Sequence, residues 1–360
     1  MESGRYAQGK AMEYAQAFRN LVMLYDEHGQ GALSLQLEET ANILEKLTGI
    51  ETGKGDITQE QIEVVECTIE SLGCIVECIQ TFEAVRGHLQ FVVRIAKKHK
   101  GVIYAKDIAL AISDALSKKF CISKSSRQIV TKETGEYIFE EQPKFRTLFG
   151  HASRNKDNSR ISGDNYSFIG IDGARTVIGL SDGMGCGNEA NRQSTRFIDL
   201  LEQLLMAGFE EEKAIKLLNN VFADNDMTGN PVTLDLCVMS GYEGTADIYK
   251  MGCATGFVKR RDRVEIINVS SMPAGVFLNL SCDRKKIQLN SGDYMIMMSD
   301  GVLDALPFYD KEKKMQEIIE SIDEKIPQKI ADRLINEAVF YNEKIADDMT
   351  VLVTGIWAYE

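Results

Sequence analysis

Along the first part of the chain, apolar residues recur at helical spacing. Tyr14, Phe18, Leu21 and Tyr25 follow a 4-3-4 interval that places them on one face. Gly29 and Gly31 interrupt this stripe, and Leu33, Leu37, Ala41 and Leu44 resume it, so residues 5 to 48 read as helix. The stretch Thr-Gly-Ile-Glu-Thr-Gly-Lys-Gly ending at Gly55 is a break. A second helix is predicted from Thr58, with Gln61 three residues on as a capping box, running to about Phe82. Stripes this short fit a packed bundle and a coiled-coil-like dimerisation or lever element equally well. From Gly87 the period falls to two: Leu89, Phe91, Val93 and Ile95 alternate with His88, Gln90, Val92 and Arg94, which reads as a strand. A helix over Ala105 to Lys119 and strands around Ile122 to Val130 and Tyr137 to Phe139 complete a small α/β unit that ends at Pro143. The main boundary is expected between Glu141 and Lys144, dividing the chain into 1–142 and 143–360.

From Phe145 onward the pattern is mixed. Strands are predicted at 145–151, 165–171, 175–181, 234–240, 245–252, 255–259, 263–267, 293–299 and 349–357, and helices at 187–207, 210–223, 311–321 and 326–342. Many strands joined by turns and interrupted by two pairs of helices predict an α/β sandwich.

Composition narrows the classes of function. With 44% hydrophobic and 26% charged residues and only 5 prolines, the 360-residue chain is that of a folded protein rather than a disordered one. A net charge of −13 argues against a nucleic-acid partner, which needs a basic face. Eight cysteines read as reduced cytosolic thiols, so a cytoplasmic location is expected. No apolar run approaches the roughly 18 residues of a membrane span, and no membrane segment is expected in this chain.

The candidate chemistry lies in four acidic points, each at or beside the end of a predicted strand. They are Ser162-Gly163-Asp164, Ser181-Asp182-Gly183-Met184-Gly185, Met298-Ser299-Asp300-Gly301 and Asp347-Asp348-Met349-Thr350. A lone Asp-Gly is an ordinary turn. Two copies of an apolar strand followed by Ser-Asp-Gly are harder to dismiss. Crowded carboxylates at the edge of a core repel one another unless a cation neutralises them. Hard ions such as Mg²⁺ and Mn²⁺ favour oxygen ligands of this kind.

These motifs, with Thr233-Leu234-Asp235-Leu236, Gly252-Cys253-Ala254 and Met272-Pro273-Ala274-Gly275 between them, resemble the metal-dependent phosphatase (PP2C) family. The likeness is greatest to its bacterial branch, the stage II sporulation protein E phosphatases, and runs from about Phe145 to Trp357. It implies an α+β fold: a PP2C-like α/β sandwich of two central sheets flanked by helix pairs, over 143–360, preceded by a regulatory region over 1–142. That region would comprise helices at 5–82 and the small α/β unit at 87–142. The implied activity is metal-dependent hydrolysis of phosphoserine or phosphothreonine in a protein, with two divalent cations, Mn²⁺ or Mg²⁺, as cofactors. Asp182 would bridge both ions, the Gly183 carbonyl would bind one, Asp300 and Asp347 would complete the second, and Asp164 would act through a bound water or as a weak direct ligand. Asp182 and Asp300 would serve catalysis through a hydroxide held between the metals, which attacks phosphorus in line. Eukaryotic members carry a histidine after the Asp-Gly; this chain has Met184 there, as the bacterial branch does, and no arginine clamp for the phosphate is evident.

The resemblance also implies a switch, with helices over about 187–222 moving the Asp-Gly loop under control of the regulatory region. The implied substrate is a phosphorylated anti-sigma factor antagonist, in sporulation or stress signalling, and the N-terminal helices are candidates for homodimerisation. Members of this kind carry a multi-span membrane region ahead of the regulatory segment. The chain is therefore expected to be a piece of a larger, membrane-associated protein or a soluble relative.

Other patterns are weaker. Asp224-Asn225-Asp226-Met227-Thr228 mimics a haloacid-dehalogenase nucleophile, but it follows a helical run instead of a strand. As an EF-hand loop the same stretch lacks the twelfth-position glutamate. Gly183, Gly185 and Gly187 lack the third spacing of a dinucleotide loop. Cys67, Cys74 and Cys78, at intervals of 7 and 4, read as small residues packing a helix face. The rival readings of the whole chain are a pseudophosphatase that binds phosphoprotein without turnover and a purely structural assembly protein. The complete aspartate set argues against both.

Overall fold

The capping box read at Thr58 is present in the structure, a computed structural model: the Gln61 amide donates to the Thr58 hydroxyl at 3.3 Å, and the Thr58 amide donates to the Gln61 side chain at 3.0 Å. The structure describes residues 17–20, 58–84, 88–123, 126–156, 161–171, 174–183, 187–223, 231–268, 271–278, 280, 282–341 and 345–359. The chain divides into two units, Gly49–Pro143 with Met1–Ala7, and Lys144–Glu360 with Gln8–Thr48. Most of the helix expected over 5–48 lies outside the described residues. Ala17 to Asn20 are helical.

In the first unit, α1 (Gln59–Ser71) is followed by β1 (Cys74–Ala84), β2 (His88–Lys97), β3 (Ile103–Tyr104), α2 (Ala105–Leu116), β4 (Phe120–Ile122), β5 (Ile129–Val130) and β6 (Gly135–Glu141). The antiparallel sheet has the order β1-β2-β6-β4. Val65 and Ile69 of α1, Ile108 and Ile112 of α2, and Phe91, Val93 and Ile95 of β2 share one core. The helix expected to reach Phe82 stops at Ser71. Gly73, at φ 83°, turns the chain into a strand, and Cys74 and Cys78 lie on that strand instead of a helix face. A register shift between Val76 and Cys78 explains the misreading. The bulge breaks the period-two alternation that would have announced a strand.

The second unit contains β7 (Phe145–Arg154), β8 (Asp164–Ile171), β9 (Arg175–Asp182), α3 (Asn188–Ala207), α4 (Glu211–Ala223), β10 (Leu234–Ser240), β11 (Thr245–Met251), β12 (Gly256–Lys259) and β13 (Val264–Ile267). It continues with β14 (Asp283–Gln288), β15 (Tyr294–Met298), α5 (Asp300–Asp304), α6 (Lys311–Glu320), α7 (Pro327–Phe340) and β16 (Met349–Ala358). Two five-stranded antiparallel sheets form, in the orders β14-β11-β10-β9-β8 and β13-β12-β15-β16-β7. Strand alternation assigns the layers. Leu234, Leu236 and Val238 of β10 face α3 and α4, meeting Phe197, Leu201 and Leu218. Ile296 and Met298 of β15 face α6 and α7, meeting Met315, Ile319 and Leu334. The opposite phase, with Ile178 and Leu180 of β9, Met295 and Met297 of β15 and Leu352 of β16, fills the space between the sheets. The result is the expected sandwich, helices outside and two sheets within. Both faces of the central strands are buried, which is why they read as continuous apolar runs.

β14 and α5 were not read from sequence. The residues of β14, Asp283-Arg284-Lys285-Lys286-Ile287-Gln288, are mostly exposed on an edge strand and carry no apolar alternation. Among the described residues, no helix is long and apolar enough to cross a membrane.

Candidate active site

The row between the sheets that holds Ile178 and Leu180 ends, two residues on, at Asp182. β8 pairs antiparallel with β9 so that Asp164 stands directly opposite Asp182, on the same face. The backbone of Asp182 is fixed from the other side by Thr233: the Asp182 amide donates to Thr233 Oγ1, and the Thr233 amide donates to the Asp182 carbonyl, both at 2.9 Å. Ser181 Oγ donates to the Thr233 carbonyl at 2.7 Å. Asp182 lines a small pocket together with Thr233, Ser299 and Asp300. Gly183 packs against the first turn of α3 so closely that a Cβ would stand 2.2 Å from the Ala190 carbonyl oxygen, so only glycine fits.

The second Ser-Asp-Gly comes from the other sheet. Ser299 follows β15, and it and Thr350 of β16 bond reciprocally: the Ser299 amide donates to the Thr350 carbonyl at 3.0 Å, and the Thr350 amide donates to Ser299 Oγ at 2.9 Å. Asp300 then opens α5. A Cβ on Gly301 would lie 2.1 Å from the Asp348 carbonyl oxygen, so this glycine too is required by close approach. Each sheet therefore delivers one Ser-Asp-Gly to the same end of the sandwich.

Asp347 and Asp348 divide their work, which the sequence did not reveal. Asp348 accepts the Gly163 amide at 2.6 Å and the Lys156 amide at 2.8 Å, tying the entry of β16 to the loop that carries Asp164. Asp347 Oδ1 accepts the Asp348 amide at 2.9 Å and is otherwise at the exposed rim. The same loop is braced from α3, where Asn191 Nδ2 donates to the Ser162 carbonyl at 2.7 Å and Ser194 Oγ donates to the Gly163 carbonyl at 2.6 Å. Nothing in the spacing of Asn191 or Ser194 marked them, and the motif Thr233-Leu234-Asp235-Leu236 marked Thr233 without a role, because each acts through backbone groups of distant segments.

The carboxylates form a gradient of depth. Asp164 is only 8% exposed, Asp182 is half-buried, and Asp300 and Asp347 are exposed. Burial first, then the charges of Asp164, Asp300, Asp347 and Asp348, push Asp182 up to about 8. Burial pushes Asp164 up to about 6 against the pull of the Thr350 and Ser299 side chains, and burial together with Asp347 raises Asp300. Asp164 Oδ2 is buried with no hydrogen-bond partner. A buried orphan oxygen among carboxylates that repel one another is the environment that a hard cation relieves. The donors, all oxygen, fit Mg²⁺ or Mn²⁺ in kind. Among the described residues, no group of three or more His, Cys, Asp or Glu side chains is already assembled around one ion position.

A cleft of about 700 Å³ opens beside Asp300, walled by Gly252–Thr255, Asn268, Pro273 and the start of α6. Met184, Gly185 and Cys186, and the Asp224 to Thr228 decoy, lie outside the described residues.

The family model of stage II sporulation protein E (SpoIIE) matches residues 172–356, just over half the chain. The chain belongs to the SpoIIE family. Stage II sporulation protein E of Bacillus subtilis (strain 168) is 26% identical over 346 residues, which are 92% of this chain and 42% of that protein. The Priestia megaterium protein of the same name is 27% identical over 337 residues, 90% of this chain and 58% of that one. The chain thus spans about half the length of the curated SpoIIE relatives it matches. Among solved structures, the PP2C phosphatase domain with a fragment of the regulatory domain of the cell fate determinant SpoIIE from Bacillus subtilis superposes with a TM-score of 0.64 at 26% identity. That match covers 84% of this chain and 88% of the other. The mixed α/β architecture, two multi-stranded sheets flanked by helices, is that of the PP2C-type phosphatases.

Proposed function

We propose that the second unit hydrolyses phosphoserine or phosphothreonine esters of a protein, with two divalent cations, Mn²⁺ or Mg²⁺, held by Asp182, the Gly183 carbonyl, Asp300 and Asp347 and with Asp164 behind them. The observation that carries this reading is the convergence of strand ends from both sheets on a crowded set of aspartates, one with a buried, unpartnered oxygen. Bound cations would neutralise phosphoryl charge and activate the attacking water. The chain's own groups hold the frame. Thr233 fixes the Asp182 backbone, the Ser299–Thr350 exchange fixes the base of Asp300, and Asp348 anchors the loop that carries Asp164. The cleft beside Asp300 would admit the phosphorylated segment.

Family membership supports a phosphorylated anti-sigma factor antagonist as the substrate, in sporulation or stress signalling. It also supports control of the site from the N-terminal side. In the structure, α3 begins five residues beyond Gly183 and braces the Asp164 loop through Asn191 and Ser194. The short helical piece at Ala17–Asn20 lies against the same layer: the Phe18 and Phe209 rings meet edge to face at 5.6 Å, and Asn20 bonds to Gln203 of α3. A shift of that piece would bear on the helix that sets the metal loop. Homodimerisation through the N-terminal helices would supply the drive.

The test is release of phosphate from a phosphoserine peptide in Mn²⁺, comparing the wild type with Asp182→Asn. Metal-dependent release that the substitution abolishes is expected. Release that survives the substitution or chelation would reject the assignment.

A further inference from the structure

The cleft beside Asp300 has an unfavourable charge for its proposed ligand. Among the described residues that line it, Asp300, Asp304 and Glu312 are acidic and Lys311 is the one cation. Bound cations do not reverse this. Two divalent ions would act locally on the reacting phosphoryl oxygens, but Asp164, Asp182, Asp300 and Asp347 would offset their net charge and leave Asp304 and Glu312 uncompensated along the cleft. Glu312 is committed to the wall: its carboxylate accepts Thr255 Oγ1 at 2.5 Å and Asn268 Nδ2 at 2.9 Å.

Lys311 is differently placed. Its Nζ donates to Asp304 Oδ1 at 2.6 Å, in a pair whose side chains are 37% and 69% exposed. Such a pair contributes little to stability and exchanges readily for another anion. The helix gains nothing from a cation here either, because Lys311 is the first residue of α6, where the dipole disfavours positive charge.

Resting on the phosphatase reading, we infer that Lys311 is the substrate-anion anchor of the cleft, released from Asp304 to hold an anionic oxygen of the phosphorylated segment. That oxygen belongs either to the phosphoryl group or to a carboxylate beside the phosphorylated residue. Lys311 would supply a cation to a cleft with no arginine among its described lining residues, and Asp304 would act as its competitor, so the two residues predict opposite effects.

Binding decides this independently of turnover. Fluorescent peptides carrying a non-hydrolysable phosphonate in place of phosphoserine, with neutral or acidic flanks, are titrated onto the full chain in Mg²⁺. Lys311→Met is expected to weaken binding about fivefold to tenfold, Lys311→Arg to restore most of it, and Asp304→Asn to tighten it about threefold. Loss with both peptides assigns the phosphoryl oxygen as the contact, and loss with the acidic-flanked peptide alone assigns the neighbouring carboxylate. Unchanged affinity in Lys311→Met, weaker binding in Asp304→Asn, or no binding by the wild type at millimolar peptide would overturn the inference. Turnover of p-nitrophenyl phosphate is read in parallel. Lys311-dependent binding without turnover would reject the phosphatase reading and keep the anion anchor. Turnover and peptide binding that both ignore Lys311 would reject the anchor alone.

Discussion

Lys250 and Asp235 form a cross-strand pair on β11 and β10, in the layer between the sheets and one row below the aspartates of the site. Their side chains are each 1% exposed, with Lys250 Nζ 2.5 Å from Asp235 Oδ2 and 2.8 Å from the Ala254 carbonyl in the cleft wall. Asp235 Oδ1 has no partner. A buried pair of this kind is costly to desolvate, so its net contribution is small, but each half depends strongly on the other. Lys250→Met leaves a buried carboxylate uncompensated and is expected to cost about 3–5 kcal/mol. That is a large share of the roughly 5–15 kcal/mol typical of a domain. Asp235→Leu alone strands the ammonium at a similar cost, whereas the double variant removes both charges and the orphan oxygen. It should lie within about 1 kcal/mol of wild type or above it, giving a coupling energy of several kcal/mol in the cycle. The assay is urea unfolding followed by Trp357, the only tryptophan in the chain. Trp357 packs edge to face on Tyr294 at 5.6 Å and so reports on the second unit. Additive losses in the double variant, or a single variant costing under about 1 kcal/mol, would refute the argument.

Two further outcomes follow from the site. Asp182 is held at about 8, above its ordinary 3.8. The stability it contributes is therefore fully present below about 3.8 and lost as pH rises through about 8, because over that window the native state binds a proton that the unfolded chain does not. Metal-free protein should melt at lower temperature at pH 8.5 than at pH 6. In EDTA at pH 8.5, Asp300→Asn should melt above wild type, while losing the Mn²⁺-induced rise; identical melting of the two proteins in EDTA would contradict the crowding. Gly301→Ala would drive a methyl to 2.1 Å from the Asp348 carbonyl, so it is expected to cost about 1–3 kcal/mol and to weaken Mn²⁺ binding tenfold or more. Gly170→Ala, whose methyl would meet nothing nearer than 4.0 Å, serves as the control in calorimetric titration.

The second unit was the more legible half because its signals were strong and local. Buried strands such as Leu234–Ser240 carry apolar side chains on both faces, and the two Ser-Asp-Gly copies mark the ends of β9 and β15. The first unit misled where periodicity was corrupted. The bulge near Glu77 made Cys67, Cys74 and Cys78 look like one helical face, although Gly73 lay between them as the stop. The strand Asp283–Gln288 is exposed and charged, so only its pairing with β11 defines it. Within the site, the motif residues were visible. The supports were not: Asn191, Ser194 and the anchoring roles of the motif residues Thr233 and Asp348 act on backbone groups far away in sequence, and hydrogen bonds of that kind leave no pattern. The cation in the cleft was equally hidden, since Lys311 gains meaning only beside Asp304, Glu312 and Asp300.

The central claim is that the converging aspartates hold cations for phosphoester hydrolysis. Its most direct test is hydrolysis of p-nitrophenyl phosphate while Mn²⁺ is titrated into metal-stripped protein, with wild type and Asp300→Asn side by side. Turnover is expected to rise with Mn²⁺ to saturation in the wild type, to vanish in EDTA and to be lost in Asp300→Asn. Turnover indifferent to Mn²⁺, or retained in full by Asp300→Asn, would contradict it.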